Sequence, residues 1–180
     1  MLEFTQNPVV ASKLTLGPWR IDQVTDCSLT SISTRAQDVA EVQKRLDQPL
    51  PQVGQCHGDA GQGLFWSAPF QWMRWAPYVD APPTHDEFGE LAYVTEQTDG
   101  WIRLDVQGAD FSPILERLCN LDLAGFTPGS VQRTQIHHIG VFVLSLEDRL
   151  MIWVPRSMAH SLVHALTQAV ENHLAQAALA

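Results

Sequence analysis

One stretch of thirty residues, VTEQTDGWIRLDVQGADFSPILERLCNLDL at positions 94–123, limits what this chain can fold into more than any other. Residues 93–98 read as a strand, and Asp99-Gly100 supplies the residue pair that suits a tight hairpin turn. WIRLDVQ then returns as a second strand, with Ile102, Leu104 and Val106 alternating against Arg103, Asp105 and Gln107. Alternation at period two places one set toward a core and the other toward polar surroundings. Gly108 ends the strand, and Ser112 and Pro113 stand at cap and first-turn positions of a helix. Phe111, Ile114, Leu115, Leu118 and Cys119 share one face of that helix, which is expected to dock on the sheet just formed.

The rest of the chain repeats this vocabulary. STRAQDVAEVQKRL carries a capping-box pair, Thr34 and Gln37, ahead of Val39, Val42 and Leu46 on one helical stripe, and Pro49 and Pro51 end the helix. VGQCHGDAGQG holds four glycines in eleven residues and reads as a mobile surface loop, followed by a strand, LFWSA. Three prolines between Ala76 and Pro83 mark a junction between two halves, about 1–80 and 84–180, of a single domain spanning 1–180. Thr84 and Glu87 form a second capping-box pair, opening a short helix that buries Phe88 and Leu91. HIGVFVLSLEDRLMIWVP reads as a hairpin turning at residues 147–149, and a C-terminal helix opens near Ser157 and buries Met158, Leu162, Leu166, Ala169 and Val170. LFWSAPFQW in the first half echoes MIWVPRSMA in the second. Strands flank each amphipathic helix without a regular βαβ alternation, so the fold class is α+β: duplicated strand/helix units, antiparallel sheets covered by helices.

Charge narrows the functional classes. Eleven Lys and Arg against twenty Asp and Glu give a net charge of −9, which repels a phosphate backbone or an anionic membrane surface. The N-terminal MLEFTQNPVV lacks the basic and apolar regions of a signal peptide, and the longest apolar run is less than half a membrane span, so a cytoplasmic protein is expected. Cys27, Cys56 and Cys119 are too widely and unevenly spaced for a disulfide framework or a C-x-x-C motif and are expected reduced.

Candidate chemical groups are few. His137 and His138, on a strand, would point to opposite faces and could not share a metal. His160 and His164 share a helical face at a spacing that can hold zinc, but that face lies opposite Leu162 and Leu166, and no acid stands between them as a general base. Cys56, His57 and Asp59 suggest a nucleophile and base, although neighbours on a glycine-rich loop are poorly placed for that geometry, and a loop thiol is expected. GDAGQG lacks the G-K-[ST] ending of a phosphate loop. No catalytic, cofactor-binding or metal residue is assigned. Trp66, Trp72, Trp75 and Tyr78 crowd thirteen residues, and Trp75 and Tyr78, beside the prolines, are expected exposed in the lone chain and covered by a partner.

The ordered series VTEQTDGWIRLDVQGADFSPILERLCNLDL, FTPGSVQRT, HIGVFVL and VPRSMAHSL resembles the gamma subunit of heterotetrameric sarcosine oxidase, most fully over residues 91–170. That family is similar in fold to the folate-binding domain of aminomethyltransferases. The resemblance implies a small non-catalytic subunit whose role is chiefly assembly, with alpha, beta and delta subunits as partners. FAD, FMN, NAD, zinc and tetrahydrofolate are then expected on those partners and none on this chain, while the complex demethylates sarcosine oxidatively to glycine and passes the one-carbon unit to tetrahydrofolate. Two alternatives stay open: an independent folate-binding module, which needs a carboxylate in a concave pocket, and a small metal- or Cys-dependent hydrolase.

Overall fold

A computed structural model describes residues 13–46, 48–78 and 85–179, without the side chains of residues 85 and 86. In chain order the strands are β1 (Leu14–Leu16), β2 (Trp19–Val24), β3 (Cys27–Thr34), β4 (Cys56–Gly58), β5 (Gly63–Ala68), β6 (Gln71–Pro77), β7 (Ala92–Glu96), β8 (Trp101–Gly108), β9 (Val131–Ile136), β10 (Ile139–Ser145) and β11 (Leu150–Pro155). The helices are α1 (Val39–Leu46), α2 (His85–Phe88), α3 (Ser112–Leu118) and α4 (Ala159–Ala177). Two antiparallel sheets result, in the orders β1-β2-β8-β11-β10-β9 and β4-β5-β6-β3-β7. The α+β class with helix-covered antiparallel sheets is therefore observed.

Three apolar layers separate four structural layers. Ile102, Leu104, Val106, Val141, Val143, Ile152 and Val154 of the first sheet pack on Ile114, Leu115, Leu162, Leu166 and Val170 of α3 and α4. The opposite face of that sheet, with Phe142, Leu144, Met151 and Trp153, meets Leu29, Phe65, Met73 and Trp75 of the second sheet. Ile32, Leu64 and Trp72 on the far side of the second sheet bury Val42 and Phe88 from its two helices. The order is helix, sheet, sheet, helix.

The duplication lies in the topology. β3-α1-β5-β6-α2-β7 is a split βαβ unit with its strands in the spatial order β5-β6-β3-β7. β8-α3-β10-β11-α4 follows the same path with the order β10-β11-β8, and its fourth position is filled by β2 from the N-terminal side. β4 and β9 extend the two sheets at equivalent ends. The unit boundary falls between β7 and β8, not in the proline-rich stretch, and residues 79–84 of that stretch lie outside the described residues. In the aligned units Trp75-Ala76-Pro77 ends β6 where Trp153-Val154-Pro155 ends β11, a closer echo than the one expected from LFWSAPFQW.

The anticipated hairpin at Asp99-Gly100 is not formed. β7 pairs with β3 in the second sheet, whereas β8 pairs with β2 and β11 in the first. Residues 98–100 form a 3₁₀ turn in which Gly100 has no positive φ, so the left-handed pair that a two-residue hairpin turn requires is missing. The turn is instead fastened at both ends: Thr98 Oγ1 accepts the Leu29 amide at 2.9 Å, and Arg156 Nε donates to the Asp99 carbonyl at 2.6 Å. Gly108, by contrast, is required where it stands, because at φ 119° any Cβ would lie 2.0 Å from the Pro18 carbonyl oxygen.

Other local expectations change for identifiable reasons. Thr34 ends β3 and sends its hydroxyl to the Leu91 carbonyl, so it does not cap α1, and Asp110, not Ser112, accepts the first amide of α3 at 3.0 Å. The Thr84–Glu87 capping pair lies outside the described residues. CHG is strand β4 and not a mobile loop, because Gly58 and Gly63 allow its backbone to close on β5. Met158 is exposed, since α4 begins one residue later and Ala159 takes the buried place.

Candidate functional site

The polar face of β8 is buried, contrary to the alternation argument, because the second sheet covers it. Arg103 and Asp105 are 3% and 2% exposed. Arg103 Nε and Nη2 donate to the two oxygens of Asp105 at 2.7 and 2.8 Å, a bidentate pair within one strand. From the turn between β10 and β11, Arg149 Nη1 donates to Asp105 Oδ2 at 2.9 Å and its other nitrogens donate to Asp148. Asp22 stands directly across from Asp105 in the β2–β8 register, a like-charge pairing that destabilises unless cations lie alongside. Arg149 on Asp105 and Arg20 on Asp22 supply them.

The charges tune one another. Burial works against the Arg103 cation, but its bonds to Asp105 and the nearby Cys27 sulfur outweigh this and hold its pKa above the ordinary value. Arg149 is likewise raised, first through Asp148 and also through Asp105, against an opposing effect of burial. Burial pushes the Cys27 thiol up, with Arg103 at 3.7 Å pulling in the other direction. Every strong donor here is paired within the protein, so the network acts as a clamp between β8 and the β10–β11 turn. Sequence reasoning saw Arg103 and Asp105 as a polar face; only their i, i+2 spacing pointed to an intrastrand pair.

A hollow of about 400 Å³ opens beside this clamp, at the end of β8. Phe111, Leu115, Leu123 and Phe126 form its apolar wall, and Asp110, Glu147, Asp148 and Arg149 its polar side. The volume falls in the range of small-molecule sites.

The anticipated site residues are dispersed. Trp75 is 0% exposed, packed between the sheets on Phe65, with its indole nitrogen donating to the Asp59 carbonyl at 3.0 Å; it cannot be covered by a partner. Tyr78, at 61% exposure, does stand in the open just past β6. His137 and His138 occupy the two-residue turn between β9 and β10, both at positive φ with their rings 5.7 Å apart, so they do not point to opposite faces of a strand. His160 and His164 lie on the exposed face of α4 as anticipated. Among the described residues, no three His, Cys, Asp or Glu side chains gather where they could hold a metal ion.

Cys56, His57 and Asp59 do not converge either. Cys56 is buried between the sheets with Sγ 3.5 Å from the Ser130 carbonyl, not a loop thiol, while His57 is exposed with Nδ1 3.3 Å from the Pro49 carbonyl. Asp59 accepts the amides of Gly61 and Gln62 at 2.7 and 3.1 Å, which lowers its pKa and fixes the turn. Burial pushes the Cys56 thiol up to about 11 from 9.0. Thiolate is the reactive form, so in the native protein at pH 8 a soluble maleimide is expected to modify the half-buried Cys119 well before Cys56, as read by peptide mass spectrometry. Because the folded thiol binds its proton more tightly than the unfolded one, stability is expected to fall as pH rises from about 9 to 11, and a Cys56→Ala variant should show a shallower fall, with the part due to Cys27 and Cys119, whose thiols burial also raises, remaining.

No protein-family model matches the sequence, and no curated protein matches it. Solved structures do match in shape. A chain of the heterotetrameric sarcosine oxidase from Corynebacterium sp. U-96, solved in complex with pyrrole 2-carboxylate, superposes with a TM-score of 0.77 at 19% identity, covering 89% of this chain and 88% of that one. The glycine cleavage system aminomethyltransferase T from Bartonella henselae superposes with a TM-score of 0.59 at 17% identity, covering 81% of this chain and 44% of that one, so this chain spans less than half of the transferase. The expected fold resemblance is thus observed at the level of three-dimensional structure. No helix among the described residues is long and apolar enough to cross a membrane.

Proposed function

We propose that this chain is the small, non-catalytic gamma-type subunit of a heterotetrameric sarcosine oxidase. The observation that carries the reading is the reciprocal coverage, 89% of this chain and 88% of the oxidase chain, which means that the two match nearly end to end and are of similar length. In this reading alpha, beta and delta subunits hold FAD, FMN, NAD, zinc and tetrahydrofolate, and oxidative demethylation of sarcosine runs on them. Amine oxidation needs an electron acceptor that amino-acid side chains do not provide. This chain's own contribution is a rigid double sheet, clamped by Arg103, Asp105 and Arg149, that keeps its outer surfaces in register for assembly.

The lone chain is expected to be colourless, without flavin absorbance between about 350 and 500 nm, and inactive in sarcosine-dependent peroxide formation. Co-expression with the alpha, beta and delta subunits of such an oxidase should yield a soluble complex containing all four chains. Stoichiometric flavin on the lone chain, or turnover by it, would overturn the proposal.

A second reading is favoured by the hollow beside the clamp. A folate-binding module needs a carboxylate in a concave, partly aromatic pocket, and Glu147 beside Phe111 and Phe126 meets that description. Equilibrium binding of tetrahydrofolate to the lone chain, lost in Glu147→Gln, would support it.

A further inference from the structure

The two sheets have equivalent strand orders except at one position. In the first sheet, β2 occupies the fourth place of its unit and is covered on its outer edge by β1. In the second sheet β7 holds the equivalent place, and among the described residues no strand pairs with its outer edge. The β7–β3 register bonds Gln97 to Leu29 and pairs Thr95 with Ser31 and Tyr93 with Ser33, so by antiparallel alternation the backbone groups of Val94 and Glu96 turn outward, while Ala92 at the start of the strand is buried. The sequence AYVTE has neither proline nor lysine and its pairing with β3 shows no bulge, so the short length of the strand and the single charge of Glu96 are what guard this edge. Tyr93 stands beside that edge at 62% exposure, the kind of side chain that anchors interfaces.

Charge identifies the occupant. Between Arg74 and Arg103 the sequence has six acidic residues and no lysine or arginine, and Glu87, Glu90 and Glu96 are exposed around β7, whereas Asp99 is met by Arg156 at 3.9 Å and Arg45 donates to the Glu87 carbonyl. A segment lying there must be extended to satisfy the backbone and basic to meet the acids.

We propose that β7 is a docking edge for an extended, basic segment of a partner subunit, which completes the second sheet as β1 completes the first. The place follows from the strand order and the charge; the partner's identity as an oxidase subunit rests on the function proposed above. Hydrogen exchange on the co-expressed complex tests it: the amides of Val94 and Glu96 should exchange about tenfold or more slowly than in the lone chain. Val94→Pro removes an outward amide without breaking a β3 bond and should weaken assembly; because the Val94 side chain also packs on the core beneath the helices, Val94→Ala, which trims that packing but keeps the amide, is the stability control and should assemble normally. Glu87→Lys/Glu90→Lys, both on the surface, should weaken assembly through charge alone. A complex that forms with these amides exchanging at the lone-chain rate overturns the docking edge and leaves the subunit reading standing. If no complex forms, the subunit reading falls, and titration of the labelled lone chain with a synthetic alternating Lys-Val hexapeptide decides the edge: resonance changes confined to β7 and abolished by Val94→Pro support it, and scattered or absent changes overturn it. A concentration-dependent dimer abolished by Val94→Pro would assign the edge to a second copy and overturn the partner assignment.

Discussion

Asp105→Ala is expected to remove about 3–5 kcal/mol of folding stability, because it strands a buried Arg103 cation and deprives Arg149 of its inner partner. The magnitude comes from desolvation. Arg103 is 3% exposed and has no route to water when its carboxylate is gone. The pair itself need not be strongly stabilising, so replacing both members with apolar residues, Arg103→Met/Asp105→Leu, should cost less than the single change. Arg149 tolerates the double replacement because it keeps Asp148 at the rim. Urea unfolding of the three proteins, read by tryptophan fluorescence and compared at equal slope, measures the order; a double variant less stable than Asp105→Ala would show that the ionic pair outweighs the packing it displaces.

Trp75→Ala is expected to cost about 3–5 kcal/mol, the scale for deleting a fully buried large aromatic. Its ring fills the space over Gly63, where an added Cβ would lie 2.4 Å away, and its nitrogen ties the β4–β5 turn through the Asp59 carbonyl. Tyr78→Ala, on the open side of the same segment, should change stability by less than about 0.5 kcal/mol and show any effect in assembly instead. The two residues, treated alike in the sequence, are thereby separated. Chemical denaturation of each lone variant followed by recovery of partners from co-expressing cells distinguishes them, and a Trp75→Ala protein as stable as the parent would contradict the packing described.

Much of the chain was legible before its structure. The apolar positions of β8, α3, β10, β11 and α4 follow from periodicity, since burial of one face is a local pattern that a strand or helix writes into its own residues. Ile102, Leu104 and Val106 are inward as expected, and the turn at residues 147–149 joins β10 to β11. The ordered motifs also pointed to a fold that superposition then displayed.

What periodicity cannot say is which strand becomes whose neighbour. The alternation in β7 and β8 is satisfied equally by a hairpin or by two strands in different sheets, and the choice was made far away in sequence, by the Leu29 amide donating to Thr98 in the turn and by Arg156 donating to the Asp99 carbonyl. The same remoteness hid the clamp. Alternating charge beside apolar residues predicts a solvated face only when nothing lies above it, and here a second sheet does, which turns Arg103 and Asp105 from surface residues into a buried pair. Burial of Trp75 and of Cys56 has that cause as well, for each lies on a face that the other sheet covers. Local chemistry determined the elements and their apolar sides, whereas the pairing of strands and the stacking of sheets, which join residues distant along the chain, decided the ionic clamp, the covered aromatics and the place of β7 at the edge of its sheet among the described residues.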